Sequence, residues 1–386
     1  KEVFDPVIQE YQKQNPHVTI QYEKMAPEDY RERLIARSQA GNGPDIFRFH
    51  NTWIPEIQEV VQAMPAEIMS NEEFETTFYP IHVKDLKVQD KFYGIPLMLD
   101  AVVLIYNDSL LTQAGLVEPP AVWVGENDVL TAVNALTVRN TSGSLITSGM
   151  AIGTANNVEH YGEIFGILLL LNGGNLQALD QKEAAEALQL YRRFAEENYW
   201  NESMSNSIPS FIQGRTAMIF GPTWQVADIK SQNPEINVQV AVPPKGLDGK
   251  GISIATYWVE GVNKFSKNQV EAWKFLKFLS SKQSQTLIFE QQSKVRPFGI
   301  AYSRKDMGEL LKSNQYVYPV VQMAAADELV SIPVADRTQD KGLNDEILSY
   351  LENAINQTAN GVDYTAALTT AKQGIDSVLE RYKIQQ

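Results

Sequence analysis

"YGIPLMLDAVVLIYN", residues 93–107, sets a single carboxylate, Asp100, near the middle of an apolar run of strand character. Burying an unpaired charge is expensive, so a residue in that place needs a partner or a wet cleft. Upstream of the run, helix and strand alternate. "FDPVIQEYQKQNP" carries Phe4, Ile8 and Tyr11 at helical spacing and ends at Asn15-Pro16. "HVTIQYEKM" alternates like a strand, with Val18, Ile20 and Tyr22 on one face. "EDYRERLIARSQAG" is helical again, closed by Gly41 and Gly43, and "PDIFRFH" is a strand. Downstream, residues 126–138 predict a helix and "GMAIG" at 149–153 a short buried strand. "GEIFGILLLLN" is a buried helix stopped by Gly173-Gly174, and "KEAAEALQLYRRFAEEN" an amphipathic one. "TAMIFG" and "INVQVAVPP" read as strands, "NQVEAWKFLKFLSS" and the C-terminal "AALTTAKQGIDSVLERYK" as helices. Such alternation predicts open, mostly parallel sheets covered on both faces, in two α/β lobes.

A chain of 386 residues is too long for one compact core, so length also favours two or three domains. Its 47 acidic against 33 basic residues give a net charge of −14. That balance argues against nucleic acid and against an anionic membrane surface as partners. There are no cysteines, which excludes a disulfide framework, thiolate zinc sites and cysteine nucleophiles. The apolar stretch "IFGILLLL" at 164–171 is far shorter than the roughly 20 residues that span a bilayer. Lys1 opens directly into helical sequence, with no signal peptide in view.

Catalytic motifs are missing. The four histidines (His17, His50, His82, His160) show no i, i+4 pair of the kind that holds zinc on a helix. Neither a G-x-S-x-G elbow nor a G-x-G-x-x-G fingerprint occurs. "GLDGKG" at 246–251 has the wrong glycine spacing for a phosphate loop and reads as a turn. A glycosidase-type carboxylate pair is formed in space, and no spacing here asks for one. No cofactor and no metal are expected.

What the chain does have is aromatic and amide residues just after strands. "PDIFRFHNTW" offers His50, Asn51 and Trp53; "AIGTANNVEHYG" offers Asn156, Asn157, His160 and Tyr161. "FGPTWQ" supplies Trp224, and "ISIATYWVEG" supplies Tyr257 and Trp258. In open α/β sheets ligands sit beyond the carboxyl ends of strands. Aromatic faces beside amides and carboxylates suit a neutral polyhydroxylated ligand, whose C–H face stacks on a ring while its hydroxyls pair with polar groups. Arg296 and Arg337 are the cations that would meet an anionic group, and solvated surface positions are the plainer account of both.

These segments, in this order, resemble the extracellular solute-binding proteins of ABC importers, of the maltose-binding-protein type. "FDPVIQEYQKQNPHVTIQYE" looks like that family's opening helix and second strand, "GNGPDIFRFHNTW" like its P-D-hydrophobic strand and ligand loop. "YGIPLMLDAVVLIYN" matches the segment leading into the first interdomain crossover. "FIQGRTAMIFGPTW" matches the F-x-x-G-x-x-A-M…G-P-x-W motif, and "VNKFSKNQVEAWKFLKFLSSKQSQ" the helix after the return crossover.

The resemblance implies an α/β, periplasmic-binding-protein-like fold: two lobes with mostly parallel sheets, joined by a hinge, with the ligand cleft between them. The first lobe is expected from residues 1–108 and 252–303, the second from 109–251 and 304–386, with crossovers near 107–110, 250–253 and 301–305. Asp100 falls on the position that accepts sugar hydroxyls in maltose-binding relatives, which makes ligand and water its expected partners. The implied function is a non-catalytic carbohydrate-binding subunit of a sugar-transport system. It would be a monomer, periplasmic or extracellular, anchored as a lipoprotein in some relatives' manner, that closes on a mono- or oligosaccharide and presents it to the ABC permease subunits. Two departures stand out. The family opens with a strand that this chain lacks, so the sequence reads as a fragment or one with an undescribed start. The "HNTW" loop has none of the charges maltose binders use there, which points to a saccharide other than maltose. The competing classes are a carbohydrate-active enzyme with paired acids and a sensory module that presents ligand to a receptor.

Overall fold

In the Val102–Asn107 strand, the residues from Val102 to Ile105 are fully buried, as an apolar run predicts. Burying each such side chain stabilises the fold by about 1.5–3 kcal/mol. The computed structural model describes residues 2–26, 29–296, 298–334, 336, 338 and 341–384. It divides the chain into two units. The first comprises Lys1–Asp100, Thr256–Asp327 and Asp336–Leu343; the second comprises Ala101–Ala255, Glu328–Ala335 and Asn344–Gln386.

Asp100 is therefore the last residue of the first unit before the chain crosses. The expected boundary at 108/109 moves here because Val102–Asn107 pairs with Thr216–Pro222 on one edge and Val238–Ala241 on the other, both in the second unit. The return boundary moves from 251/252 to 255/256 because Ser253–Ile254 pairs with Leu329–Val330. Residues 304–327, expected in the second unit, belong to the first. Arg304 bridges Phe78, the Lys305 ammonium donates to the Glu75 carbonyl at 3.0 Å, and the Phe298 and Tyr316 rings meet at 4.6 Å.

The first unit contains a three-stranded antiparallel sheet in the order Ile46–His50, Trp258–Val262, Ile95–Pro96. Gly94 leads into its last strand with φ +147°, and a Cβ there would sit 2.6 Å from the Val259 side chain, so only glycine fits. Helix Asp5–Gln14 buries Val7, Ile8 and Tyr11, and the Tyr11 ring lies 5.0 Å from those of Phe275 and Phe278. Residues 17–23 form no strand: Val18 and Ile20 are half-buried, but Tyr22, expected on the same face, is exposed, and no described strand pairs with the segment.

The second unit has a five-stranded sheet in the order Val138–Arg139, Leu145–Met150, Thr216–Pro222, Val102–Asn107, Val238–Ala241. "GMAIG" thus straddles a strand end, with Met150 its last paired residue. Helix Tyr161–Leu171 is buried and packs on the amphipathic Lys182–Glu196, which also takes the helix Tyr364–Arg381. Asp128 and Asp363 each cap a helix here by accepting a backbone N–H, as Ser281 does in the first unit.

The sheets are α/β as expected but not mostly parallel. Among the described strands of the five-stranded sheet only Leu145–Met150 and Thr216–Pro222 run parallel. Alternating helix and strand implies parallel neighbours when each strand pairs with the next in sequence. Here strands arriving from another part of the chain, Trp258–Val262 and Val102–Asn107, insert between others and run against them.

Candidate functional site

The predicted residues fall in both units, and those of the first are joined by hydrogen bonds, whereas those of the second each bond to other partners. In the first unit, strand Ile46–His50 ends opposite Trp258, and the chain turns as the Trp53 N–H donates to the His50 carbonyl at 2.9 Å. Pro55 then starts the short helix Ile54–Ile57. The turn fixes Asn51 against Tyr257 by backbone and side chain together. The Asn51 N–H donates to the Tyr257 carbonyl at 3.0 Å, and its Oδ1 accepts from the Tyr257 N–H at 3.2 Å. Asn51 Nδ2 and the Tyr257 hydroxyl both donate to Asp85 Oδ2, at 3.1 and 2.7 Å. Burial and the adjacent Asp85 carboxylate hold the Tyr257 phenol protonated, its pKa well above the usual value. His50 is buried between the hydroxyls of Thr52 at 2.9 Å and Thr256 at 3.1 Å, with the half-buried Trp258 ring edge-on at 5.4 Å. Thr256 in turn donates its N–H to the Asp100 carbonyl at 3.0 Å, and the Asp100 side chain is itself buried.

Two expected contacts are corrected here. Trp53 has no accessible surface: its indole N–H donates to Asp336 at 2.7 Å, its ring lies edge-on to Trp258 at 5.5 Å, and the Arg31 guanidinium sits 5.5 Å from its centre. It is a packed side chain, not a stacking platform. Tyr257 is likewise packed, against the His82 ring at 4.6 Å, and its hydroxyl is committed to Asp85. Arg296 caps the exposed end of helix Lys282–Val295, and among the described residues none of the bonds that build this group reaches it. Arg337 lies outside the described residues.

In the second unit, Asn157 spends all four of its amide hydrogen-bonding positions internally. It accepts from Thr154 at 2.5 Å and Trp200 at 2.9 Å, and donates to the carbonyls of Asn201 at 3.1 Å and Met204 at 3.0 Å. It is a structural bracket rather than a ligand group. Asn156 is exposed and tied to Glu202 and Asn356. His160 Nδ1 lies 2.8 Å from Glu163 Oε1, both side chains buried, and the Tyr161 hydroxyl donates to the Leu348 carbonyl at 3.2 Å. Trp224 is half-buried at the start of helix Trp224–Gln232, just beyond strand Thr216–Pro222.

Sequence reasoning missed Asp85, Thr52 and Thr256. Asp85 lies one helical turn after His82 on Pro80–Leu86, and that spacing is the only trace it leaves. Among the described residues no three His, Asp or Glu side chains gather to hold a metal ion, and no described helix is long and apolar enough to cross a membrane.

Residues 7–302 match the family described as bacterial extracellular solute-binding protein. The chain belongs to that family. Among solute-binding relatives, a binding protein of Brucella abortus (strain 2308) is 27% identical over 291 residues, 72% of this chain and 68% of that one. The maltotriose-binding protein of Pyrococcus abyssi is 22% identical over 298 residues, 72% of this chain and 60% of its own. The solved cyclo/maltodextrin-binding protein complexed with maltotetraose superposes with a TM-score of 0.78 at 18% identity, over 100% of this chain and 94% of that chain. This solute-binding protein therefore has their fold.

Proposed function

We propose that this solute-binding protein is the saccharide-binding subunit of an ABC importer, working outside the cytoplasm as a monomer that hands a mono- or oligosaccharide to the membrane permease. The observation that carries the reading is the strand-end group of the first unit. Asn51 and Tyr257 donate to the Asp85 carboxylate, while the His50 imidazole, set between the Thr52 and Thr256 hydroxyls, lies against the half-buried Trp258 ring. Uncharged donors and fixed acceptors around an aromatic face complement a ligand with hydroxyls at its rim and apolar C–H faces. The maltotriose-binding relative and the maltotetraose complex support the same ligand class.

In this reading Asp100 accepts sugar hydroxyls and Trp224 stacks on a sugar ring. The family's mode of action is closure on the ligand, the hinge movement for which periplasmic binding proteins serve as the general example. Ligand favours closure only by its greater affinity for the closed state. That part of the reading, with the permease partner, lipoprotein anchoring and binding without turnover, rests on the family.

A thermal-shift panel of glucose, mannose, galactose and their two- to four-unit oligosaccharides tests it. At a hundredfold excess over its dissociation constant a bound sugar adds about 2.7 kcal/mol of stability, and the sugar should be recovered intact. Trp224→Ala should remove most of that gain and leave the unliganded melt nearly unchanged, whereas loss of a core tryptophan lowers the unliganded melt. If an amino acid, peptide or polyamine shifts the melt and no saccharide does, the sugar assignment fails.

A further inference from the structure

Three asparagines of the chain are followed by glycine: Asn42, Asn172 and Asn360. In such a pair the glycine nitrogen can attack the asparagine Cγ, because glycine has no side chain to hinder the approach. The fold holds the three pairs differently. Gly173 N–H donates to the Leu170 carbonyl at 3.1 Å, and Asn172 Nδ2 donates to the Glu183 carbonyl at 2.9 Å and to Glu186 at 3.1 Å. Gly361 N–H donates to the Thr358 carbonyl at 3.1 Å, and Asn360 Nδ2 to the Asn356 carbonyl at 2.9 Å. Asn42 is exposed, and among the described residues neither its Nδ2 nor the Gly43 N–H has a hydrogen-bond partner. We infer that Asn42 is a site of spontaneous deamidation, the one of the three pairs that the native fold leaves reactive.

The Gly43 nitrogen gives up its proton and bonds to Asn42 Cγ; the Cγ–Nδ2 bond breaks, ammonia leaves, and a cyclic imide closes. Water then opens the imide at either carbonyl, giving aspartate at position 42 or its isoaspartyl isomer. Arg37 assists the first step. Its Nε donates to the Asn42 carbonyl at 3.4 Å, and a cation there favours the anionic Gly43 amide that attacks. No other residue can replace this glycine, since a Cβ at 43 would lie 2.5 Å from Asn263 Nδ2 and 2.8 Å from Ser38 Cα. The two products differ in cost. Aspartate keeps the backbone and stands beside Arg37. The isoaspartyl form adds a carbon to the main chain just ahead of Gly43, where Asn263 holds the Pro44 and Asp45 carbonyls at 2.9 Å each. That shift falls at the entry to strand Ile46–His50. None of this depends on the ligand.

Peptide mapping by mass spectrometry of the native chain, aged at mildly alkaline pH beside a guanidinium-unfolded sample, tests the assignment. A hydrogen bond that must open before attack slows the step by roughly two- to tenfold. Native Asn42 should therefore convert faster than Asn172 and Asn360 by at least that factor, and the three rates should converge in guanidinium. Native conversion at Asn172 or Asn360 as fast as at Asn42 overturns the inference, and so does a native Asn42 rate far below its unfolded rate. Asn42→Ser should stay a single species by ion exchange through the same ageing. The isoaspartyl fraction should melt below both the fresh chain and Asn42→Asp; a melt equal to theirs overturns the proposed damage to the strand entry.

Discussion

The His82 ring is fully buried in the first unit, edge-on to Tyr257 at 4.6 Å and to Phe78 at 6.2 Å, and neither of its nitrogens has a hydrogen-bond partner among the described residues. Burial pushes its pKa down from 6.5 to about 3. The unfolded chain therefore takes up this proton at a higher pH than the folded one. The stability that neutral His82 permits is complete above pH 6.5 and is lost as pH falls toward 3, at up to about 1.4 kcal/mol per pH unit. His82→Phe fills the space without the unsatisfied nitrogens. It should match or exceed wild-type stability at pH 7 and show a shallower decline to pH 4.5, read from urea midpoints; a variant weaker at both pH values would contradict this. At this scale the sequence was only half legible. It placed His50 at a strand end and Trp224 just beyond one, where they are, but set Asp100 inside a strand-like run, whereas the residue lies ahead of strand Val102–Asn107 at the crossing between units. Hydrogen bonds decide whether such a residue faces a ligand, and a strand-end position is equally open to a bracket such as Asn157 or a packed ring such as Trp53.

Helix Tyr30–Gln39 is fastened to the short helix Ile54–Ile57 by an ion pair between Arg31 and Glu56, 2.6 Å long, with the side chains 5% and 2% exposed. Glu56 also accepts the Leu343 N–H at 3.0 Å, so one carboxylate joins three stretches of chain. Breaking a buried pair from one side strands the other charge, a loss of about 3–5 kcal/mol. Glu56→Gln keeps the shape and should lower the unfolding free energy, read from denaturant melts, by that much; a change under about 1 kcal/mol would show that water reaches the pair. The helices themselves were legible, because caps and amphipathic spacing are local signals. Strand direction was not. Whether a neighbour runs parallel depends on which distant segment inserts beside it, and residues 17–23 show that alternation without a pairing partner makes no strand.

Across the whole molecule, two α/β units built from discontinuous chain were legible from motif order, while the crossing points were not, since pairing partners set them. The second unit cannot be lifted out as one continuous segment. Ser253–Ile254 needs Leu329–Val330 beside it, and helix Lys182–Glu196 needs the apolar face of Tyr364–Arg381, with Leu368, Ile375 and Val378 buried. Residues 101–255 expressed alone should show no cooperative thermal transition by circular dichroism, and linking them to residues 328–386 should restore one. A sharp melt from 101–255 alone would show that the later segments only decorate a finished core.

The middle strand of the three-stranded sheet, Trp258–Val262, is made long after both of its neighbours. Until it emerges, Ile46–His50 and Ile95–Pro96 have nothing to pair with, and pairings that distant in sequence form slowly. The sheet of the first unit therefore closes only after the ribosome has passed Val262, and for the length of chain between Pro96 and Trp258 its two outer strands wait for the one that joins them.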